Sequence, residues 1–163
     1  IDGISIDIMP VLQKTVVDKR DGTPIEAIEF WTLFDEGSHI VNFPWLHLAN
    51  GRQKQLETDG MYKQLVRAMK IMRNIFVGDR LISPESAFSY HLECLAYNVP
   101  NEQFAGSLVE IMRNTIEMGK LALVTGTNLP TVSGMHKVFG STVLNWKPEN
   151  ALRLFDTYEQ MMS

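Results

Sequence analysis

Apolar and polar positions alternate through residues 4–12, where Ile4, Ile6 and Ile8 share one face and Ser5, Asp7 and Met9 the other. That period of two predicts a half-buried strand, with Pro10 ending its regular pairing or placing it at a sheet edge. Asp21-Gly22-Thr23-Pro24 is a turn signal, and residues 26–34 return as a strand able to pair with the first. Residues 35–50, broken by Gly37 and Pro44, read as a loop holding Phe43, Trp45 and His47.

Near residue 53 the period changes. Leu65, Met69, Met72 and Phe76 recur at helical spacing with Ala68 and Ile75 alongside, which predicts an amphipathic helix over 60–77, stopped at Gly78-Asp79. Ser83-Pro84 has the form of an N-cap followed by a first helical residue. A second helix is therefore expected over 83–98, burying Phe88, Leu92 and Leu95 and closed by Pro100. A third, over 102–118, buries Phe104, Leu108, Ile111 and Met112. Residues 119–145, rich in Gly, Thr and Ser, show no clear period. Pro148 opens a last helix with Leu152, Phe155, Tyr158 and Met162 inward. The expected fold is α+β: short antiparallel strands within residues 1–52, then a predominantly α-helical bundle over 53–163.

Composition narrows the function classes. Apolar residues make up 45% and charged residues 21%, enough for a packed core. No apolar run reaches the roughly 18 residues of a membrane span. Lys and Arg number 15 against 19 Asp and Glu, a net charge of -4, so a whole-surface grip on nucleic acid is excluded and a nucleic-acid activator is not indicated. The single cysteine, Cys94, forms no internal disulfide and no CxxC zinc pair. This usage fits a reducing compartment, the cytoplasm.

Three groups of residues can carry chemistry. Asp7, on the open face of its strand, is a hard oxygen ligand suited to Mg2+, although one carboxylate does not make a two-metal centre and an exposed strand residue accounts for it equally. Lys63, Arg67, Lys70 and Asn74, spaced four, three and four, share a helix face opposite the Leu65–Phe76 stripe, with Arg73 to one side. Such a face is either a phosphate clamp or a solvated basic surface. Ser89 and Glu93 share a face of the next helix, where the hydroxyl can bond phosphate and the Tyr90 ring can stack on a base; a back-bonded serine and a packed aromatic are the alternatives. His39, His47, His91 and His136 are dispersed and form no HxxxH or HExxH pair, so they read as structural or surface residues.

Taken in order, these pieces resemble a known family. The strand with Asp7 and Pro10 is followed by Asn42-Phe43-Pro44, His47, Asn50-Gly51-Arg52 and Lys54. Then come the helix Tyr62-Lys63-Gln64-Leu65-Val66-Arg67-Ala68-Met69-Lys70 and the stretch Ser89-Tyr90-His91-Leu92-Glu93-Cys94-Leu95-Ala96-Tyr97-Asn98-Val99-Pro100. The order is similar to the second half of the DNA polymerase β-like nucleotidyltransferases, in the branch of bacterial relatives of cyclic GMP–AMP synthase and oligoadenylate synthase. The resemblance covers residues 2–104, and the S-x-x-L-E-x-L-x-Y-N-x-P stretch is its most distinctive part.

The resemblance implies that residues 1–52 end a catalytic sheet and 53–163 form a helical domain. It assigns Asp7 to Mg2+ coordination and catalysis, Lys70 and Ser89 to the phosphates of a nucleoside triphosphate (ATP or GTP), and Tyr90 to stacking on its base. Arg67 is a further nucleotide contact. The family's Gly-Ser turn and its first two carboxylates have no counterpart in the sequence, so an N-terminal catalytic portion, in cis or in trans, is the expected partner. This chain alone is then expected to be inactive. The function implied is nucleotidyl transfer, with an oligonucleotide or cyclic nucleotide signal as product; the alternative is a non-catalytic helical module that senses a nucleotide or binds a protein.

Overall fold

The computed structural model describes residues 10–19, 21–31 and 39–162. The chain divides into two compact units, residues 1–45 and 46–163.

The first unit holds a three-stranded antiparallel sheet in the order β1 (Leu12–Val17), β2 (Pro24–Trp31), β3 (His39–Asn42). β1 and β2 form a hairpin with Leu12 opposite Glu29 and Val17 opposite Pro24. Its turn falls where Asp21-Gly22 predicts. Gly22 has φ +78°, Asp18 N donates to Thr23 O at 2.8 Å, and Thr23 N donates to Asp21 Oδ1 at 2.9 Å. The described strand paired with β2 is Leu12–Val17, beyond most of the expected strand over residues 4–12, whose residues up to Met9 lie outside the described residues. A tight turn pairs the residues that flank it directly, and Thr15, Val16 and Val17 are β-branched. Lys14 pairs with Glu29 at 2.7 Å.

Residues 39–57 correct the expected loop. β3 pairs with β2, and α1 (Pro44–Glu57) follows at once. Pro44 is a helix opener rather than a breaker, since proline suits the first turn, where its missing N–H has no partner to lose.

The second unit is helical: α1 continues into it, then α2 (Met61–Gly78), α3 (Ser89–Tyr97), α4 (Leu108–Thr125) and α5 (Pro148–Met162). α2 matches its expectation and buries Tyr62, Leu65, Met69 and Phe76, while Ile75 is exposed. The expected helix over 83–98 is split. Residues Pro84–Ser86 make a 3-10 turn, extended backbone at Ala87 and Phe88 follows, and α3 starts at Ser89. Leu92 and Leu95 are buried as expected, but Phe88, ahead of the helix, is exposed. The helix expected over 102–118 is likewise a 3-10 turn at Asn101–Ala105 and then α4. Ser107 caps α4, its Oγ accepting from Glu110 N and its own N donating to Glu110 Oε2 at 2.8 Å. α4 runs on through the uncertain region to Gly126, which ends it at φ +69°. In α5, Phe155 and Tyr158 face inward with Leu154, and Leu152 is exposed.

One core cluster unites α2 to α5, with Trp146 from the irregular segment 126–147 at its centre against Phe155 and Phe139. Tyr158 donates to Met69 O at 2.6 Å, tying α5 to the middle of α2. No helix among the described residues is long and apolar enough to cross a membrane.

Candidate functional site

α2 and α3 carry the predicted nucleotide-facing residues, and their packing brings two of the three groups together. Lys70 is half-buried on α2, with Nζ 3.7 Å from Glu93 Oε2 on α3. Glu93 lies one turn after Ser89, so Lys70 meets the face of α3 that Ser89 begins. Ser89 is exposed at the first position of α3; the N–H of Phe88 just before it points to His91 Nδ1 at 3.5 Å, and the side chain of Phe88 offers no oxygen to the N–H groups that follow. The first N–H groups of a helix have no intrahelical acceptor and attract anions.

The approach to α3 is fixed from three directions. Arg73 donates to Ala87 O at 2.9 Å and to Pro84 O at 2.6 Å. Trp146 Nε1 donates to Ser86 O at 2.7 Å, and Asn150 reaches Glu85 O. Four consecutive carbonyls are thereby held by side chains from elsewhere in the helical unit. Arg73, set aside in the sequence as lying beside the basic stripe, is thus a clamp on the segment that presents Ser89.

Tyr90 is half-buried. Burial is the main cause holding its phenol well above the usual value, so it stays protonated, with Cys94 and Thr131 as side-chain neighbours. Its ring lies nearly parallel to that of His47, centroids 5.7 Å apart and planes 25° from one another. His47 Nε2 is 3.4 Å from Glu93 Oε1. Glu93 therefore stands between an imidazole and an ammonium group. The His47 hydrogen bond holds its carboxyl below the usual range, Lys70 adding to the effect and burial opposing it.

Of the other predicted residues, Arg67 is exposed one turn before Lys70 and pairs with no acid among the described residues; Lys63 and Asn74 are exposed on the same face. Asp7 lies outside the described residues. Among those described, no three His, Cys, Asp or Glu side chains come together in a way that could hold a metal ion. His47 was missed because it was read in a loop. The signal was Pro44 at the head of a helix, which places His47 in its first turn.

Comparison with known proteins bears on the family and the fold. Residues 49–163 match the model of the cGAS/DncV-like nucleotidyltransferase C-terminal helical domain. The cyclic dipurine nucleotide synthase of Elizabethkingia meningoseptica is 32% identical over 114 residues, 69% of this chain and 38% of that protein. The cyclic UMP-AMP synthase of Rhodothermus marinus is 31% identical over 135 residues, 83% of this chain and 46% of that one. This chain thus spans less than half the length of either relative. Among solved structures, the E. meningoseptica CdnE cyclic dinucleotide synthase with GTP and Apcpp superposes with a TM-score of 0.84 at 25% identity, covering 96% of this chain and 57% of that one. The R. marinus CdnE c-UMP-AMP synthase with Apcpp and Upnpp gives 0.79 at 28%, covering 93% and 51%. The chain belongs to the cGAS/DncV-like nucleotidyltransferases, and residues 49–163 are the C-terminal helical domain of that family.

Proposed function

We propose that this chain is the C-terminal portion of a Mg2+-dependent nucleotidyltransferase that binds a nucleoside triphosphate and joins nucleotides into a cyclic or linear oligonucleotide signal. The observation that carries the reading is the meeting of Lys70 with Glu93, one turn along α3 from Ser89 and beside the stacked rings of His47 and Tyr90. Lys70, the Ser89 hydroxyl and the first N–H groups of α3 suit a phosphate chain, and Arg67 extends the positive face toward it. Tyr90 offers its ring to the base. That two relatives were solved with nucleotides or their analogues supports the same ligand class.

Asp7 is the proposed Mg2+ ligand of this chain, with residues 1–52 as the end of the catalytic sheet. The described residues supply no carboxylate cluster of their own, so the remaining ligands belong to an N-terminal catalytic portion. When bound, Mg2+ neutralises charge on the phosphoryl oxygens. The residues of this chain bind and orient the triphosphate.

The test uses the protein as its cell makes it, incubated with the four nucleoside triphosphates and Mg2+. Products are separated by chromatography and identified by mass. Nucleotide oligomers are expected, with none from Asp7→Ala and a raised KM from Lys70→Ala. Wild-type turnover by Asp7→Ala would sink the metal assignment, and triphosphate binding without turnover would leave a sensing module.

A further inference from the structure

We infer that His47 is a positioning residue that sets the Tyr90 ring for stacking on the nucleotide's base, with Glu93 as the strut that holds it. The inference rests on the nucleotide-binding reading above and names a residue that reading does not use.

Tyr90 follows Ser89 at the start of α3, and its ring is held both from its own helix and from α1. His47, in the first turn of α1, lies against one face of the ring at 5.7 Å, and His91 meets it at an angle, centroids 6.1 Å apart. His47 is itself tethered: its Nε2 faces Glu93 Oε1 at 3.4 Å, and Glu93 is drawn to Lys70 on its other oxygen at 3.7 Å. An imidazole fixed at one nitrogen has a fixed plane. A ring laid on that plane is in turn confined, which cuts the ordering cost of stacking a base on it. One carboxylate thus sets both the group facing the phosphates and the ring facing the base.

Glu93 holds the imidazole at its Nε2, 3.4 Å away. The contribution of His47 to binding therefore lies in its ring and its hydrogen bond. A flat replacement should preserve the first, and an amide the second.

The experiment measures binding of each nucleoside triphosphate, and of inorganic tripolyphosphate, to the protein as its cell makes it, with Mg2+ present. Tyr90→Ala is expected to weaken nucleoside triphosphate binding about tenfold, and His47→Ala about fivefold, with tripolyphosphate unaffected by either. The double variant should bind no worse than Tyr90→Ala alone, because His47 acts through that ring. His47→Phe, which keeps a ring against Tyr90, should recover affinity to within about threefold of wild type, and His47→Asn, which keeps only the hydrogen bond, should not. Equal losses for tripolyphosphate and nucleotide in His47→Ala, or additive losses in the double variant, overturn the inference. So does a His47→Ala protein that binds like wild type while Tyr90→Ala is weak, and this result leaves the nucleotide site standing. If Lys70→Ala and Tyr90→Ala both bind like wild type, the nucleotide reading itself fails and the inference with it.

Discussion

His91 lies flat on Trp146, ring centroids 5.3 Å apart and planes 11° from parallel. It is buried, and Phe88 N points toward its Nδ1, so the proton sits on the other nitrogen. Burial pushes the imidazole down from 6.5 to about 4. Above pH 6.5 the folded and unfolded chains both hold it neutral. As the pH falls through 6.5 the unfolded chain takes up a proton that the folded chain refuses. Stability therefore declines until about pH 4, where the folded form protonates too, a total loss of about 3 kcal/mol. The carboxyl groups held low, among them Glu57 and Glu110, act only below 4.5. Urea midpoints between pH 6.5 and 4.5 should therefore fall in the wild type and fall less in His91→Phe. Gly119 is the second single-residue test. A Cβ there would stand 2.8 Å from Phe155 Cζ and 3.2 Å from Leu95 Cδ1. Overpacking of about 1–3 kcal/mol outweighs the gain of about 1 kcal/mol in helix propensity, so Gly119→Ala should lower the thermal midpoint. Neither effect is legible in the sequence. His91 there is one of four scattered histidines, and Gly119 is one glycine in a region without a period.

Lys54 shows how much of an element's placement rests on one side chain. It is 8% exposed and on α1, yet it donates to Val99 O and, at 2.6 Å, to Asn101 Oδ1, just past the end of α3. The Tyr97 and Phe104 rings flank it at 5.7 and 5.3 Å. Asn101 in turn donates to Glu57 at 2.8 Å. α1 buries little else of its own beyond Gly51, so this cation does much to dock it. Lys54→Met should cost about 2 kcal/mol, read as a lower urea midpoint at unchanged slope, because two acceptors lose their donor. The strong period of α2 made that helix plain in the sequence, and the Pro148 start made α5 so. α1 was not, since its helix is held by a buried polar group and a proline start rather than by an apolar stripe. Ser83-Pro84 misled for a related reason. The N-cap signal is real, but the turn it opens is 3-10, and Arg73, Trp146 and Asn150 take up its carbonyls before a second start at Ser89.

At the scale of the molecule, the main core cluster is drawn entirely from residues 62–158, with none of its buried members in the strands. Residues 43–163 alone should therefore unfold in one cooperative transition with near-ultraviolet circular dichroism retained; a broad, non-cooperative melt would count against an independent helical unit. The sequence showed the order of sheet then helices, and spacing put Lys70 on one helix face and Ser89 and Tyr90 on the next helix; only the family resemblance joined them as a set. The bracing of that set by His47, Glu93 and Arg73 arises from contacts between helices, which spacing along one helix does not encode. The three tryptophans divide along the same line. Trp31 and Trp45 are exposed, and Trp146 is 1% exposed. Iodide in solution would silence the emission of the first two and leave a blue-shifted remainder from Trp146. That indole rests on His91 and holds Ser86 O. The chain thus carries its own optical probe at the foot of α3, one that brightens, dims or shifts with the setting of the helix that presents Ser89, with no label attached.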